Sequence, residues 1–128
     1  ELDMNIKLHN PPRTFTVGFD IKRTMQDCGR IELDDDEQVT FTTPGGAEYD
    51  VAKKSWGFYA TPSLNGRLVN FGLRAVVVKN RIGRYFVLLV EKGKEPLFET
   101  YVHEEQLVIV CWLDTEKALH TIENTFYE

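Results

Sequence analysis

A tryptophan, a tyrosine, three short hydroxyl or amide side chains and an arginine fall within twelve residues, Trp56-Gly57-Phe58-Tyr59-Ala60-Thr61-Pro62-Ser63-Leu64-Asn65-Gly66-Arg67. Trp56 and Tyr59 offer flat apolar faces with a polar edge, and Thr61, Ser63 and Asn65 offer short donors and acceptors. Arg67 offers a planar fork for carboxylate or phosphate. The mixture suits an anionic or sugar-like small molecule, with Arg74 adding to the local field. The plainer alternative is that Trp56 and Phe58 point into the core while Thr61-Pro62-Ser63 and Asn65-Gly66 make turns, because Pro presets φ and Gly accepts positive φ.

Proton transfer has one candidate segment, His103-Glu104-Glu105. A carboxylate neighbour can hold an imidazole near neutral pKa, although adjacent strand residues point to opposite faces, so the pair would meet only in a loop. Tyr59 is the second candidate proton carrier. Other chemistries lack their spacing. His9, His103 and His120 are isolated in sequence, and Cys28 and Cys111 show no CxxC pattern, so neither a zinc set nor the clustered histidines of a cupin-type metal centre is expected. The cysteines read as buried thiols without a disulfide. Asp34-Asp35-Asp36-Glu37 lacks the alternate ligands and central Gly of an EF-hand and reads as a solvated turn. Pro44-Gly45-Gly46 precedes no helical pattern that would aim amides at a phosphate. Ser63 sits in no Gly-x-Ser-x-Gly elbow. No cofactor is implied.

The 128 residues suit one domain able to bury a core without disulfides. A formal charge of −5 gives no general attraction to nucleic acid or to an anionic membrane. Basicity is nevertheless concentrated, because residues 67–94 hold seven Lys and Arg against the single acid Glu91. No apolar run approaches the roughly 20 residues of a membrane span, and a signal-peptide pattern is absent from the start of the sequence, which points to a cytoplasmic protein.

The elements that must position these groups read mainly as strands. Leu2, Met4, Ile6 and Leu8 alternate with polar residues until Asn10-Pro11-Pro12, and Phe15, Val17, Phe19 and Ile21 alternate again, which predicts two strands meeting at a proline corner. Ile31 and Leu33, Val39 and Phe41, and Tyr49 and Val51 continue the period between turns. Two β-rich runs, residues 68–77 and 85–90, flank Asn80-Arg81-Ile82-Gly83 and predict a hairpin that begins just after Arg67. Lys92-Gly93-Lys94-Glu95-Pro96 predicts a turn before Phe98 and Tyr101. Leu107-Val108-Ile109-Val110-Cys111-Trp112-Leu113 is apolar throughout and predicts a central strand covered on both faces. From Asp114 the period changes. Asp114 or Thr115 caps a helix whose Ala118, Leu119, Ile122 and Phe126 share one face, with Glu116, Lys117 and Glu123 outside. That face packs on the sheet or could equally meet a second subunit as a homodimer.

The fold class expected is therefore an antiparallel β-sandwich or barrel, jelly-roll-like, over residues 1–113, with one C-terminal α-helix over 114–128. Three function classes fit: a domain binding an anionic or sugar-like small molecule through Trp56 to Arg67; a metal-free isomerase, epimerase or lyase using the same pocket with His103 or Tyr59; and a protein or single-strand nucleic-acid module using the basic hairpin.

Overall fold

A computed structural model describes residues 4–127, so Leu2 and Glu128 lie outside the described residues. The protein is mainly β, with three small antiparallel sheets and a C-terminal helix. No sheet closes into a barrel among the described residues. The first sheet is a two-stranded ribbon, β1 (Asn5–Val17) against β2 (Arg23–Glu32). The second orders β3 (Gln38–Thr42), β4 (Glu48–Lys54) and β5 (Gly57–Ala60). The third places β6 (Leu73–Lys79) between β7 (Tyr85–Glu91) and β8 (Val108–Trp112). Three helices complete it: α1 (Arg67–Asn70), α2 (Glu95–Glu104) and α3 (Glu116–Phe126).

The β6–β7 hairpin forms in the expected place, its turn organised by Asn80, whose Oδ1 accepts from the amides of Ile82 and Arg84 at 3.1 and 2.8 Å. Central position falls to β6 rather than to the 107–113 run. Val76 and Val78 are fully buried, whereas β8 is an edge strand with Val108 and Val110 at least half exposed. Uniform apolarity in β8 reflects one face packed under α2 and another left open, a distinction that periodicity cannot draw in so short a run.

One face of the third sheet carries Val76, Val78 and Val90 against Phe98 of α2, with Val102, Ile109 and Trp112 around them. Phe98 meets Trp112 edge to face, centroids 5.7 Å apart. The other face joins Leu73 and Ala75 to Ala47, Leu68 and Tyr49, fastening the second sheet and α1 to the third. Helix α2 takes in the end of the expected turn together with Phe98 and Tyr101, for which no helix was expected. Pro96 sits in its first turn, where a missing N–H costs nothing, so this proline starts a helix instead of ending a strand. Helix α1 likewise replaces the expected strand start at Arg67.

α3 begins as the capping residues indicate, with Thr115 Oγ1 accepting from the Ala118 amide at 3.1 Å. Glu116, Lys117 and Glu123 are exposed and Ile122 is half-buried. Phe126, expected in the core, is 80% exposed. The apolar stripe of α3 therefore runs off the end of the packed surface before its last turn.

The ribbon departs most from expectation. β1 continues through Pro11 and Pro12, which mark no corner, because residues 9–12 bulge opposite the single residue Cys28, between the pairs Leu8 with Gly29 and Arg13 with Asp27. Prolines are tolerated there since a bulged position need not donate to the ladder. The chain reverses at residues 18–22, where strand had been expected at Phe19 and Ile21. Gly18 has φ +109°, and a Cβ on it would stand 2.0 Å from the Ile21 carbonyl oxygen, so only glycine makes this reversal. The thiols are free, Cys111 half-buried in β8 and Cys28 exposed on β2 rather than buried.

Candidate functional site

The polar groups of the Trp56 to Arg67 stretch are largely spent on the fold. Arg67 donates from Nη2 to Asp50 Oδ2 at 2.7 Å and lies 4.6 Å above the Phe71 ring. Asp50, 4% exposed, also accepts from Thr40 Oγ1 at 2.7 Å. Those two hydrogen bonds, Thr40's first and Arg67's second, hold its carboxyl below the ordinary aspartate value against the opposing effect of burial. The Thr61 amide donates to the Asp50 carbonyl at 3.2 Å, the Arg67 amide to Ser63 Oγ at 2.9 Å, and Asn65 Nδ2 to Glu116 Oε2 at 2.5 Å. The stretch is a bracket that joins β4, α1 and α3.

The aromatics of this stretch are not core residues: Trp56, Phe58 and Tyr59 are all more than half exposed. Arg74 donates to Asp114 Oδ2 at 2.6 Å and Glu95 Oε2 at 3.3 Å, with its guanidinium 4.0 Å above Trp112. Asp114's hydrogen bond, then Glu95's, raises its pKa further, so Arg74 is a fully charged tie between β6, α2 and the end of β8. His103 is exposed on α2. Its acidic neighbours do the work instead. Glu105 Oε2 accepts from Arg23 Nη1 at 2.8 Å, Glu104 pairs with Arg23 Nη2, and the Phe19 amide donates to Glu105 Oε1 at 3.2 Å. Arg81, at the tip of the basic hairpin, stacks 3.2 Å from the Phe19 centroid and donates to Gln106. The tip of the ribbon is thereby clamped onto α2 and the third sheet.

Of the cavities among the described residues, three stand out, and none of these is lined by Tyr59, Asn65 or Arg67. One of 210 Å³ lies under the ribbon tip among Phe19, Phe86, Leu88 and Tyr101. Another of 240 Å³ lies beside Gly45, Asn70 and Lys92. The third, 480 Å³, is the size of a small-molecule site and opens between the far end of the ribbon and the β4–β5 pair.

Two walls build that cleft. The ribbon supplies Lys7 directly opposite Arg30, Asn5 directly opposite Glu32, and His9 at the start of the bulge. The second sheet supplies Lys53 and its cross-strand partner Phe58. The strands approach closely here, since a Cβ on Gly29 would stand 2.5 Å from the Lys7 carbonyl oxygen. Alternation puts Lys7 and Arg30 on the cleft side and leaves Ile6 and Leu8 on the opposite side, both more than two-fifths exposed, while Ile31 also lines the cleft.

The cleft is basic on a net acidic chain. His9 Nε2 lies 3.8 Å from Asp27, whose carboxyl is held low by Arg13 first and by the Gly29 amide next. Lys53 pairs with Asp35 at 2.8 Å at the rim. Lys7 and Arg30 make no ion pair with any carboxylate among the described residues. Like charges directly opposite on a ribbon destabilise it by a few tenths to about 1 kcal/mol. An anion between them would turn that repulsion into two charge-assisted contacts.

Lys7, His9, Arg30 and Phe58 were not singled out as a set from the sequence. The available signal was the polar phase of the alternation at 5, 7 and 9, but the Lys7–Arg30 pair appears only once the register across Gly18 is known. The histidine that shares a cavity with basic groups is His9, not His103. No group of three His, Cys, Asp or Glu residues gathers as a metal set among the described residues. No helix there is long and apolar enough to cross a membrane. No protein-family model, curated protein or solved structure matches the chain.

Proposed function

We propose that the protein binds a small, hydroxylated anion, of the sugar-phosphate kind, in the 480 Å³ cleft between the ribbon and the β4–β5 pair. The observation that carries this is the Lys7–Arg30 couple, which faces a cavity and joins no ion pair among the described residues, on a chain of net charge −5. Lys7 and Arg30 take the charged group, Arg30 able to do so with two parallel N–H donors. Asn5 and Glu32 accept or donate to hydroxyls, and the exposed Phe58 ring supplies the apolar face on which a sugar ring stacks. Binding requires no catalyst. The sequence-level expectation of an anionic or sugar-like ligand is thus retained, and its place moves from Arg67 to the ribbon.

The test is calorimetric titration with sugar phosphates, uncharged sugars and inorganic phosphate. Sugar phosphates should bind best, and Arg30→Gln should weaken them by about 2 kcal/mol, roughly thirtyfold. Arg67→Gln should leave the affinity unchanged. Loss of binding in Arg67→Gln with none in Arg30→Gln would return the site to the Trp56 to Arg67 stretch.

A further inference from the structure

The outer edge of β7 carries a second site. Among the described residues, no backbone group of residues 85–90 bonds to anything except β6, so one side of this strand presents a row of unsatisfied donors and acceptors. Every other sheet edge among the described residues is blunted. β1 has two prolines and a bulge, β2 carries Arg23, Asp27, Arg30 and Glu32, β3 and β5 are five and four residues long, and β8 shifts register opposite Val77 and Val78. By contrast, β7 stays in unbroken register with β6 over seven pairs and runs Tyr85-Phe86-Val87-Leu88-Leu89-Val90 without a charge, proline or glycine. Tyr85, Phe86 and Val87 are 61%, 47% and 62% exposed.

We infer that β7 pairs antiparallel with β7 of a second copy of this chain, making one six-stranded sheet across a two-fold axis. Three features favour a copy over a foreign strand. The edge is apolar along its whole length, so it complements itself when reversed, as an isologous contact requires. Its one terminal acid, Glu91, then lies toward the start of the partner's strand, where Arg84 precedes Tyr85. The chain also exposes 9472 Å², against about 7000 Å² for a compact monomer of its 14.8 kDa mass, and a standard dimer contact removes about 800 Å² from each partner. α2 covers one face of this sheet and would extend the cover across the axis, while on the other face Val87 meets its counterpart and Tyr85 meets Leu89 of the second copy.

Sedimentation equilibrium of the whole chain, from micromolar to hundred-micromolar concentration, should give twice the 14.8 kDa chain mass. Val87→Lys places two facing ammonium groups at the axis and should weaken association by about a hundredfold or more. Val108→Lys, equally exposed on the opposite edge of the same sheet, should remain dimeric. A wild-type monomer throughout, a Val87→Lys dimer, or dissociation by Val108→Lys alone would each overturn the inference. Should Val87→Lys fail to fold, hydrogen exchange of the wild type reads the same edge. Protection of residues 86–90 that rises with concentration supports the pairing, and protection independent of concentration overturns it.

Discussion

Asp50 is the one charged side chain buried among the described residues, and its two partners explain why it is tolerated: Thr40 and Arg67 each meet one carboxylate oxygen. Replacing it by Ala should cost about 1–2 kcal/mol in denaturant unfolding, a modest figure because Arg67 remains half in solvent and regains water. The same pairing fixes a pH dependence. The folded carboxyl titrates below its ordinary value of 3.8, so the unfolded chain takes up the proton first. Its contribution is present above that value and is lost as pH falls through the lower folded value. Asp50→Asn should therefore flatten the acid limb of the stability profile, which thermal melts at stepped pH would measure. At the cleft, the opposite sign is expected. Lys7→Gln relieves a like-charge pair and should raise unliganded stability by a few tenths of a kcal/mol while weakening the ligand. A loss of stability in Lys7→Gln would mean that Lys7 supports the ribbon and serves no ligand.

Among the elements, α2 carries the packing that the sequence pattern assigned to α3. Phe98→Ala should cost about 3 kcal/mol, since the ring is buried against Trp112, Val76 and Val78. Phe126→Ala should change stability by less than about 0.5 kcal/mol, as the ring stands in solvent. Urea unfolding of both variants checks the contrast. The β6–β7 hairpin and α3 were legible because each is defined by local signals, an Asn-organised turn and a Thr cap, that need no distant partner. α2 was not, because Pro96 marks a helix start and a strand stop equally well. The ribbon was half legible. Its alternation was clear, but Pro11 and Pro12 break a ladder only where an N–H is required, and the bulge opposite Cys28 removes that requirement. The basic cleft inherited the same blind spot, because its residues come together through the register that those prolines obscured.

Over the whole molecule, the ribbon is held at two places. Its tip is fastened by Arg23 to Glu104 and Glu105, by Arg81 on Phe19, and by Gln106 Nε2 to Asp20 at 2.8 Å. Its other end borders the cleft, where Leu33 is buried. Arg30 lies seven residues along β2 from Arg23, about 23 Å at strand rise. A two-stranded ribbon over that distance behaves as a beam, with the clamp at one end and the jaw at the other. Cutting the clamp with Arg23→Ala touches no residue of the cleft, yet it should loosen ligand binding severalfold by letting the beam swing, and calorimetric titration of that variant would read it. Unchanged affinity would show that the jaw is set locally by Leu33 and Gly29. Since the clamp and the jaw are both ionic, salt acts on the protein twice. It screens the ligand's charge directly and slackens the fulcrum that holds the jaw's width, so the affinity should fall with ionic strength more steeply in the wild type than in Arg23→Ala.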